Sequence, residues 1–450
     1  MKKSKNIKQN NALILFTRVP VPGQTKTRMM PYYTPEQCAE FHCYCVKDIV
    51  KAAVNVDAEI IVSYTGGKSD VLKTIISDAA CYCEQVGDDL GERMYDAIEK
   101  AFGMGYEKVV LVGTDVPELR AETIDSAFET LDSKDLVIGP TEDGGYYLIG
   151  MKTACKAAFN VKKYSTTSVF EETVKSIEED GKSIAVVDTY TDIDEPDDLL
   201  GFRQRMRSDV RLRHSNTAKY VADNTKVSII IPTYNEESMA ERMRLQLLEL
   251  RDDAEIIFVD GGSTDRTLEI IGDEFKAISA EKCRGKQMNI GAQAAGGDVL
   301  FFLHCDSELP SKALAEIRRC IARYPYGCFG VKYESRNFFM WTNKLISNHR
   351  AWSRGLPFGD QGIFIDRDLF FKVGMFPEQP VMEDYEFSLN MRKAGYRPGA
   401  TAKRIVASDR RYEKGTKGIL KTEFLMWNLR RKYRKGNSAE EIAEKYGDIR

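Results

Sequence analysis

The sequence lacks any apolar run long enough to cross a membrane. Its first apolar stretch, residues 12–16, follows a polar and basic start and has only the length of a strand, too short for a signal sequence. It also lacks an excess of either charge, with 65 Lys and Arg against 68 Asp and Glu, which argues against nucleic-acid binding. These absences predict a cytoplasmic protein with no nucleic-acid partner.

The cysteine spacing of zinc sites is missing as well. The ten cysteines include two C-x-C pairs, at 43–45 and 81–83, but no C-x-x-C pair. If the surrounding segment is a helix, Cys38, His42 and Cys45 share one face. That face either binds a soft metal or, as we favour, packs into a core.

Two glycine-rich nucleotide motifs are absent. Neither half of the chain carries G-x-G-x-x-G after its first strand, which argues against a dinucleotide dehydrogenase. Thr25 precedes Lys26 where a P-loop needs glycine before its lysine.

What is present is an alternation of apolar strands and amphipathic helices, typical of a parallel sheet covered on both faces. A length of 450 residues favours more than one domain. The polar segment 205–225 has no strand pattern, so we predict two α/β domains, 1–204 and 226–450, joined by a linker.

Carboxylates follow a buried strand in each predicted domain. Asp115 comes after residues 108–112, and Asp306 comes after residues 298–303. Ligands of open α/β sheets bind beyond the carboxyl ends of the strands, where a carboxylate suits Mg²⁺ or Mn²⁺. Either residue is equally explained as a helix cap or a turn residue before proline.

The second domain adds polar groups at further strand ends and helix starts. They occur in "IPTYNEES", "VDGGSTD", "CRGKQ", "LHCDSELP" and "VMEDYEF". The candidates in these stretches are Pro232, Tyr234, Glu236, Asp260, Arg284, Lys286, His304, Asp306, Glu383 and Asp384. Taken alone, the last two are also explained as acidic residues at a helix N-terminus.

This series of motifs resembles the family 2 glycosyltransferases of the GT-A fold over residues 226–450, and "GLPFGDQG" with "RRYEKG" is similar to their arsenosugar-biosynthesis-type branch. The resemblance implies that Asp260 helps to hold the nucleotide, that Asp306 binds the metal and diphosphate, and that Asp384 is the general base. His304 replaces the first acid of the D-x-D motif, as a metal ligand, a hydrogen-bonding group or a packing residue. Arg410 and Arg411 resemble a late basic segment near the donor diphosphate.

Sugar transfer needs a cation on the leaving diphosphate and a base at the acceptor hydroxyl. Asp306 and Asp384 fit these two needs from opposite sides of one crevice. A single in-line displacement uses one carboxylate near the anomeric carbon, so we expect inversion.

In the first domain, "RVPVPGQTKTR" follows the first strand and suits phosphate binding through Gly23, Lys26 and Arg28. The later stretches "GDDLGERM", "GTDVPEL", "GPTEDGGYYLIG" and "DTYTDIDEPDDL" resemble GT-A-like nucleotidyltransferases such as 2-phospholactate guanylyltransferase. The resemblance implies metal binding by Asp115 and Asp194, with Asp192 a weaker candidate. Asp143 lies in a turn that either approaches a ligand or only opens a hairpin.

Together these patterns predict two GT-A-like, Rossmann-like domains in tandem and a bifunctional transferase. The expected ligands are a nucleotide sugar, an NTP, a small-molecule acceptor and Mg²⁺ or Mn²⁺. The alternatives are two glycosyltransferases in series, or a first domain that is a non-catalytic nucleotide-binding or docking scaffold. The apolar and basic tail, residues 414–436, either lies on an anionic membrane or, as we favour, closes the core of its own domain, leaving a soluble enzyme with a soluble acceptor.

Overall fold

The structure is a computed structural model that describes residues 10–160, 164, 167–335, 337–408 and 415–446. Its contacts divide the chain into two compact units, Met1–Val221 and Ala222–Arg450. Among the described residues, no helix has both the length and the apolar character needed to cross a bilayer.

The first unit is built on a seven-stranded sheet. Its strands are β1 Asn11–Arg18, β2 Glu59–Thr65, β3 Cys81–Glu84, β4 Lys108–Gly113, β5 Leu136–Pro140, β6 Tyr146–Met151 and β7 Ile184–Val186. Its helices are α1 Pro35–Ala53, α2 Asp70–Ile75, α3 Leu90–Gly103, α4 Ala121–Thr130, α5 Val169–Glu179, α6 Pro196–Ser208, α7 Val210–Arg213 and α8 Asn216–Asp223. The strand order is β3-β2-β1-β4-β6-β5-β7.

The second unit is also built on seven strands. These are β8 Val227–Thr233, β9 Glu255–Asp260, β10 Lys276–Ser279, β11 Val299–Phe302, β12 Tyr326–Lys332, β13 Ile363–Asp366 and β14 Gly399–Val406. Its helices are α9 Glu237–Leu248, α10 Thr267–Ile271, α11 Arg284–Ala294, α12 Ala313–Ile321, α13 Phe338–Arg354, α14 Arg367–Lys372, α15 Glu383–Lys393, α16 Gly415–Arg434 and α17 Ala439–Tyr446. The order β10-β9-β8-β11-β13-β12-β14 repeats that of the first sheet position by position.

The buried strands read as apolar runs because helices cover both faces of each sheet. In β1, Leu13 and Leu15 pack into one cluster with Ile49 of α1, whereas Ala12 and Ile14 pack into another with Ile98 of α3. Two clusters likewise cover the two faces of the second sheet. The predicted fold class, two GT-A-like, Rossmann-like α/β domains in tandem, is confirmed.

The sheets are mixed rather than parallel, which corrects the sequence expectation. β6 runs antiparallel to β4 and β5, and β13 runs antiparallel to β11 and β12. In the first unit the reason is local, because the five residues 141–145 between β5 and β6 are too few for a parallel crossover.

The sheet order reverses at β1 in the first unit and at β8 in the second. β1 pairs with β2 on one side and β4 on the other, and β8 pairs with β9 and β11 in the same way. Ligands of such sheets bind at this reversal, beyond the carboxyl ends of the strands. Asp115 follows β4 and Asp306 follows β11, so both occupy the equivalent position in their sheets.

The segment 205–225, predicted as a linker, is largely helical in the structure. It contains the end of α6 and all of α7 and α8. Asp48 of α1 accepts hydrogen bonds from the backbone N–H groups of Asn216, at 2.9 Å, and Thr217, at 2.7 Å. Tyr220 donates to the carbonyl oxygen of Gln37 at 2.9 Å, so α8 packs against α1.

Candidate active sites

In the first unit, a buried lysine joins the two predicted metal ligands. The Nζ atom of Lys26 lies 2.5 Å from Oδ1 of Asp115 and 2.7 Å from Oδ1 of Asp194, and it donates to the carbonyl oxygen of Ile193 at 2.6 Å. Its side chain is 5% exposed. The loops after β1 and β4 and the segment before α6 therefore meet at one ammonium group.

The electrostatics of this cluster follow from the pairing. Burial alone would lower the pKa of Lys26, but Asp115 and Asp194 outweigh it and raise that pKa. For Asp115, burial works toward a higher pKa, but Lys26 and then His42 bring it below its ordinary value. The lysine is thus charged and the Asp115 carboxylate ionised at neutral pH.

His42 of α1 also reaches the cluster. Its Nδ1 atom lies 3.8 Å from Oδ1 of Asp115, and its Nε2 atom contacts Oγ1 of Thr17 at 3.2 Å. Burial lowers the pKa of His42. Cys38 and Cys45 on the same helix are buried, as the core interpretation predicts. Among the described residues, no group of three or more His, Cys, Asp or Glu side chains is arranged to hold a metal ion by itself.

A second acidic group adjoins the lysine. Burial, followed by the charges of Asp143 and Asp194, raises the pKa of Asp192 to about 7. Asp143 lies in the turn between β5 and β6, where its Oδ1 atom accepts from Oγ1 of Thr141 at 2.5 Å. Gly144 has φ +91°, and a Cβ there would lie 2.0 Å from the carbonyl oxygen of Thr167, so only glycine fits. The turn thus closes a hairpin and also brings Asp143 to the acidic cluster.

The other two residues of the predicted phosphate loop stand apart from this cluster. Arg28 lies 3.8 Å from Glu195, and both side chains are exposed. Gly23 has φ +74° and open space around it.

In the second unit, the predicted nucleotide residues line the ends of β8 and β9. The buried Asp260 carboxylate accepts from the backbone N–H groups of Gly262, at 2.9 Å, and Ser263, at 2.8 Å. Pro232 lies in β8, and the ring of Tyr234 beyond it lies 4.0 Å below Nζ of Lys282. Asp260 therefore shapes the turn after β9, while Tyr234 borders the crevice.

Two candidate residues flank these loops. Glu236 precedes α9, and its backbone N–H donates to Oγ1 of Thr267 at 2.8 Å. Lys286 of α11 contacts the exposed Glu281 at 2.5 Å, so its ammonium group is engaged at the surface.

The two acidic residues at the start of α15, Glu383 and Asp384, lie in different environments. Glu383 is buried and lies 3.2 Å from Nη1 of Arg284, the first residue of α11. Burial raises the pKa of Glu383, Arg284 opposes that rise, and the neighbouring Asp384 adds to it. Glu383 and Arg284 thus form a pair between two helix starts.

The Asp384 carboxylate is fixed by backbone groups. Its Oδ2 atom accepts from the N–H of Gly359 at 2.7 Å, and Oδ1 accepts from its neighbour Tyr385 at 2.7 Å. A Cβ at Gly359 would lie 2.6 Å from Nε2 of His304 and 3.4 Å from Oδ2 of Asp384, so both side chains flank this glycine. The partly exposed Asp306 belongs to the same turn as His304, in which the N–H of Ser307 donates to the His304 carbonyl oxygen at 3.0 Å.

The residues that support Asp384 are not predicted by the sequence motifs. The guanidinium carbon of Arg350, in α13, lies 3.4 Å from the ring centre of Phe358, and that of Arg430, in α16, lies 5.6 Å from it. Phe358 leads directly into Gly359. The signal was the "GLPFGDQG" stretch itself, whose glycines and proline indicate a special loop. Arg410 and Arg411 lie outside the described residues.

The C-terminal tail only partly follows the favoured expectation that it closes its own core. Ile419 and Leu429 of α16 are buried, and Leu429 packs with Leu356, Met382 and Tyr385. By contrast Leu420, Phe424 and Trp427 are exposed, because they lie on the opposite face of the helix.

Two family models match this chain. Residues 228–377 match glycosyl transferase family 2. Residues 49–166 match a family described as "uncharacterized protein conserved in bacteria (DUF2064)". The match to glycosyl transferase family 2 thus lies within the second unit, while the arsenosugar branch and the guanylyltransferase relation stay predictions.

Curated relatives give shorter alignments. An undecaprenyl-phosphate 4-deoxy-4-formamido-L-arabinose transferase of Photorhabdus laumondii is 27% identical over 156 residues, which cover 31% of this chain and 48% of the relative. An uncharacterized glycosyltransferase of Nostoc sp. is 36% identical over 90 residues, which cover 18% of this chain and 28% of the relative. The chain spans about half the length, or less, of these relatives.

Solved structures are similar at low TM-scores. A Desulfovibrio desulfuricans protein with an inferred nucleotide-diphospho-sugar transferase activity is 29% identical, with 48% of this chain and 95% of that one covered and a TM-score of 0.45. A mannosyltransferase of Pyrobaculum calidifontis, solved with GDP-Man and Mn²⁺, is 22% identical, with 46% and 61% covered and a TM-score of 0.35.

Proposed function

We propose that the second unit transfers a sugar from a nucleotide-sugar donor to an acceptor hydroxyl with inversion at the anomeric carbon. The observation that supports this most strongly is the Asp384 carboxylate, held by two backbone N–H groups beside His304 in a family 2 domain. An ionised carboxylate has about four lone-pair sites, so two remain to accept the proton of the acceptor hydroxyl. Asp384 is therefore the proposed general base.

The donor binds, in this proposal, across the ends of β8, β9 and β11. Tyr234 and the turn shaped by Asp260 border the nucleotide, and Arg284 at the start of α11 approaches the diphosphate. Glu383 holds the Arg284 guanidinium in place from below. The nucleoside diphosphate leaves as the acceptor oxygen attacks from the Asp384 side, which inverts the anomeric carbon.

Asp306 and His304 are the proposed ligands of a divalent cation. They supply a carboxylate and an imidazole on one partly exposed turn, and Mg²⁺ is commonly held by one or two carboxylates together with substrate phosphates. The residues therefore fit a cation that arrives with the donor. When bound, it supplies positive charge that stabilises the leaving diphosphate.

The acceptor class has two candidates. Several relatives are named as undecaprenyl-phosphate transferases, so a lipid-linked acceptor stands beside the soluble small molecule predicted from the sequence.

Calorimetry of nucleotide-sugar binding with and without Mn²⁺ tests the donor site. Asp306→Asn is expected to weaken the Mn²⁺-dependent affinity at least tenfold, because a neutral amide is a poorer ligand for a hard cation. Asp368→Asn, an exposed acid at the start of α14, serves as the matched control. Unchanged affinity in Asp306→Asn would remove Asp306 from the cation site.

For the first unit, the proposal is a nucleotide site with nucleotidyl or sugar transfer at the Lys26 cluster. The cluster brings Asp115 and Asp194 to one position beyond the ends of β1 and β4. A specific observation also favours the scaffold alternative, because the Lys26 ammonium already neutralises the carboxylates that a metal would need.

Pyrophosphate release from NTPs separates nucleotidyl transfer from the scaffold. Nucleotidyl transfer releases pyrophosphate in the presence of Mn²⁺, and Asp115→Asn abolishes the release. A scaffold binds the NTP and releases none.

A further inference from the structure

Two neighbouring helices of the second unit carry an exposed aromatic and basic surface, defined by α13 and α16. Asn337, just before α13, donates to Oγ1 of Thr416 at 3.1 Å, and Asn343 donates to Oε1 of Glu423 at 2.7 Å. These two contacts run in the same order along both helices, so α13 and α16 lie side by side and parallel.

The outer faces of both helices are apolar. Phe338, Trp341, Leu345 and Trp352 recur at helical spacing on α13, and Leu420, Phe424 and Trp427 do so on α16. All seven are exposed, with Phe338 and Phe424 at 66% and 68%. Phe338 stacks on Trp341, and Phe424 stacks on Trp427. Exposed apolar surface of this extent marks an interaction site in a water-soluble domain.

Tryptophan is concentrated on this surface. The chain has three tryptophans, and all of them lie here with 42–50% of their surface exposed. Tryptophan is enriched where a protein meets a membrane–water interface, because its ring is apolar and its N–H is polar.

The charged side chains of the two helices are almost all positive. Lys and Arg number three in α13 and six in α16, against a single acid, Glu423, which is bonded to Asn343. Lys417, Arg431 and Arg434 share the face of the apolar stripe of α16, and the Arg431 guanidinium lies 5.4 Å from the Trp427 ring. Aromatic and basic side chains together on a helix face favour the surface of an anionic bilayer.

We infer that α13 and α16 dock the second unit onto an anionic membrane surface without crossing it. The acidic headgroups pair with Lys417, Arg431 and Arg434, and the aromatic rings enter the interface between headgroups and acyl chains. The inference departs from the soluble enzyme expected from sequence, because that expectation placed the apolar stripe in the core.

The docking surface connects directly to the proposed base. Arg350 of α13 and Arg430 of α16 both contact the Phe358 ring, and the next residue, Gly359, binds Asp384. Docking would therefore place Asp384 near the bilayer, where a lipid-linked acceptor presents its reacting group. This consequence rests on the proposed sugar transfer, whereas docking itself does not.

Intrinsic tryptophan fluorescence of the full chain tests the inference without a label. The probe is a vesicle of phosphatidylcholine with 30% phosphatidylglycerol, added at physiological salt, and flotation measures the bound fraction. We expect a blue shift and flotation with these vesicles, and neither with pure phosphatidylcholine. No binding to the anionic vesicles, or equal binding to both, would overturn the inference.

Variants distinguish vesicle binding through this surface from nonspecific hydrophobic binding. The double change Phe424→Ser with Leu420→Ser, and the charge reversal Lys417→Glu with Arg431→Glu, are each expected to reduce vesicle binding at least tenfold. Leu268→Ser with Val210→Ser, which alters exposed apolar residues elsewhere, leaves binding unchanged. Equal vesicle binding by all three variants would contradict the assigned surface. A blue shift of the tryptophan fluorescence that occurs without vesicles, and that accompanies dimer formation in ultracentrifugation, would also contradict it.

The test also distinguishes this inference from the proposed function. If the protein transfers a sugar to a soluble acceptor but does not bind vesicles, the docking inference is overturned and the proposed transferase function stands. Vesicle binding without any sugar transfer supports the docking and overturns the proposed transferase function.

Discussion

Asp384 is the proposed general base, so its substitution is the most direct test at the scale of a single residue. Asp384→Asn is expected to lower the rate of sugar transfer by about 10²–10⁴, the usual effect of removing a general base, and to leave donor affinity nearly unchanged. Asp368→Asn again serves as the control, and thermal melts of both variants check that the Gly359 loop stays folded. Near-normal turnover in Asp384→Asn would exclude it as the base.

Lys26 gives a second prediction at the residue scale. Lys26→Met leaves Asp115 and Asp194 facing each other without a counter-ion, so the first unit is expected to lose up to about 3 kcal/mol of stability. Mn²⁺ should then restore the melting temperature, because two carboxylates suit a divalent cation. Lys68→Met, at an exposed position, provides the comparison. A melting temperature of Lys26→Met that does not respond to Mn²⁺ argues against a cation site there.

Asp192 predicts a pH dependence of stability. An unfolded Asp ionises near its ordinary pKa of about 4, whereas folded Asp192 keeps its proton to about pH 7. Between these values the folded form binds more protons, so this residue destabilises the first unit as the pH rises through the window. Asp192→Asn should flatten that fall in melting temperature between pH 4.5 and 8, and Asp197→Asn should not. Identical slopes in the wild type and Asp192→Asn would show that Asp192 ionises normally.

At the scale of elements, the contact between α1 and α8 has a measurable consequence. Asp48 is buried and accepts three hydrogen bonds from Asn216 and Thr217. Asp48→Ala leaves these donors unpaired, at a cost of about 1–3 kcal/mol, and should expose 205–221 to proteolysis. Asp78→Ala, at an exposed site in the same unit, should leave the cleavage rate unchanged. Equal protection in Asp48→Ala would mean that α8 is held by its apolar residues alone.

The elements also show where the sequence is informative. The central strands could be predicted because burial on both faces makes them apolar, as in residues 12–16 and 255–259. The edge strands β3 and β10 escaped prediction, since they are short and half exposed. Antiparallel β13 also escaped, because its partners lie far away along the chain and its pairing leaves no local pattern.

The same limit applies to the site. Asp115 and Asp306 could be placed at strand ends from local sequence, and the topology puts them at equivalent positions. The contact of Lys26 with Asp194 spans 168 residues, and no spacing rule reveals it. The exposure of Phe424 and Trp427 was likewise hidden, because an amphipathic pattern does not say which apolar face finds a partner.

At the scale of the whole molecule, one chain carries the same strand order twice. The repeated topology supplies two crevices at equivalent places, but their side chains differ. The first holds a buried lysine between carboxylates, and the second holds a carboxylate, Asp384, that is fixed by backbone N–H groups beside an imidazole. This difference favours two separate chemical roles over two copies of one enzyme.

We propose that sugar transfer belongs to the second crevice, with Asp384 as its base. The most direct measurement is nucleoside diphosphate release from a panel of nucleotide sugars with Mn²⁺ and acceptor, in the full chain and in Asp384→Asn and Lys26→Met. We expect Asp384→Asn to lower the rate of release by about 10²–10⁴ and Lys26→Met to retain it. Release that survives in Asp384→Asn and disappears in Lys26→Met would contradict the account and move sugar transfer to the first unit.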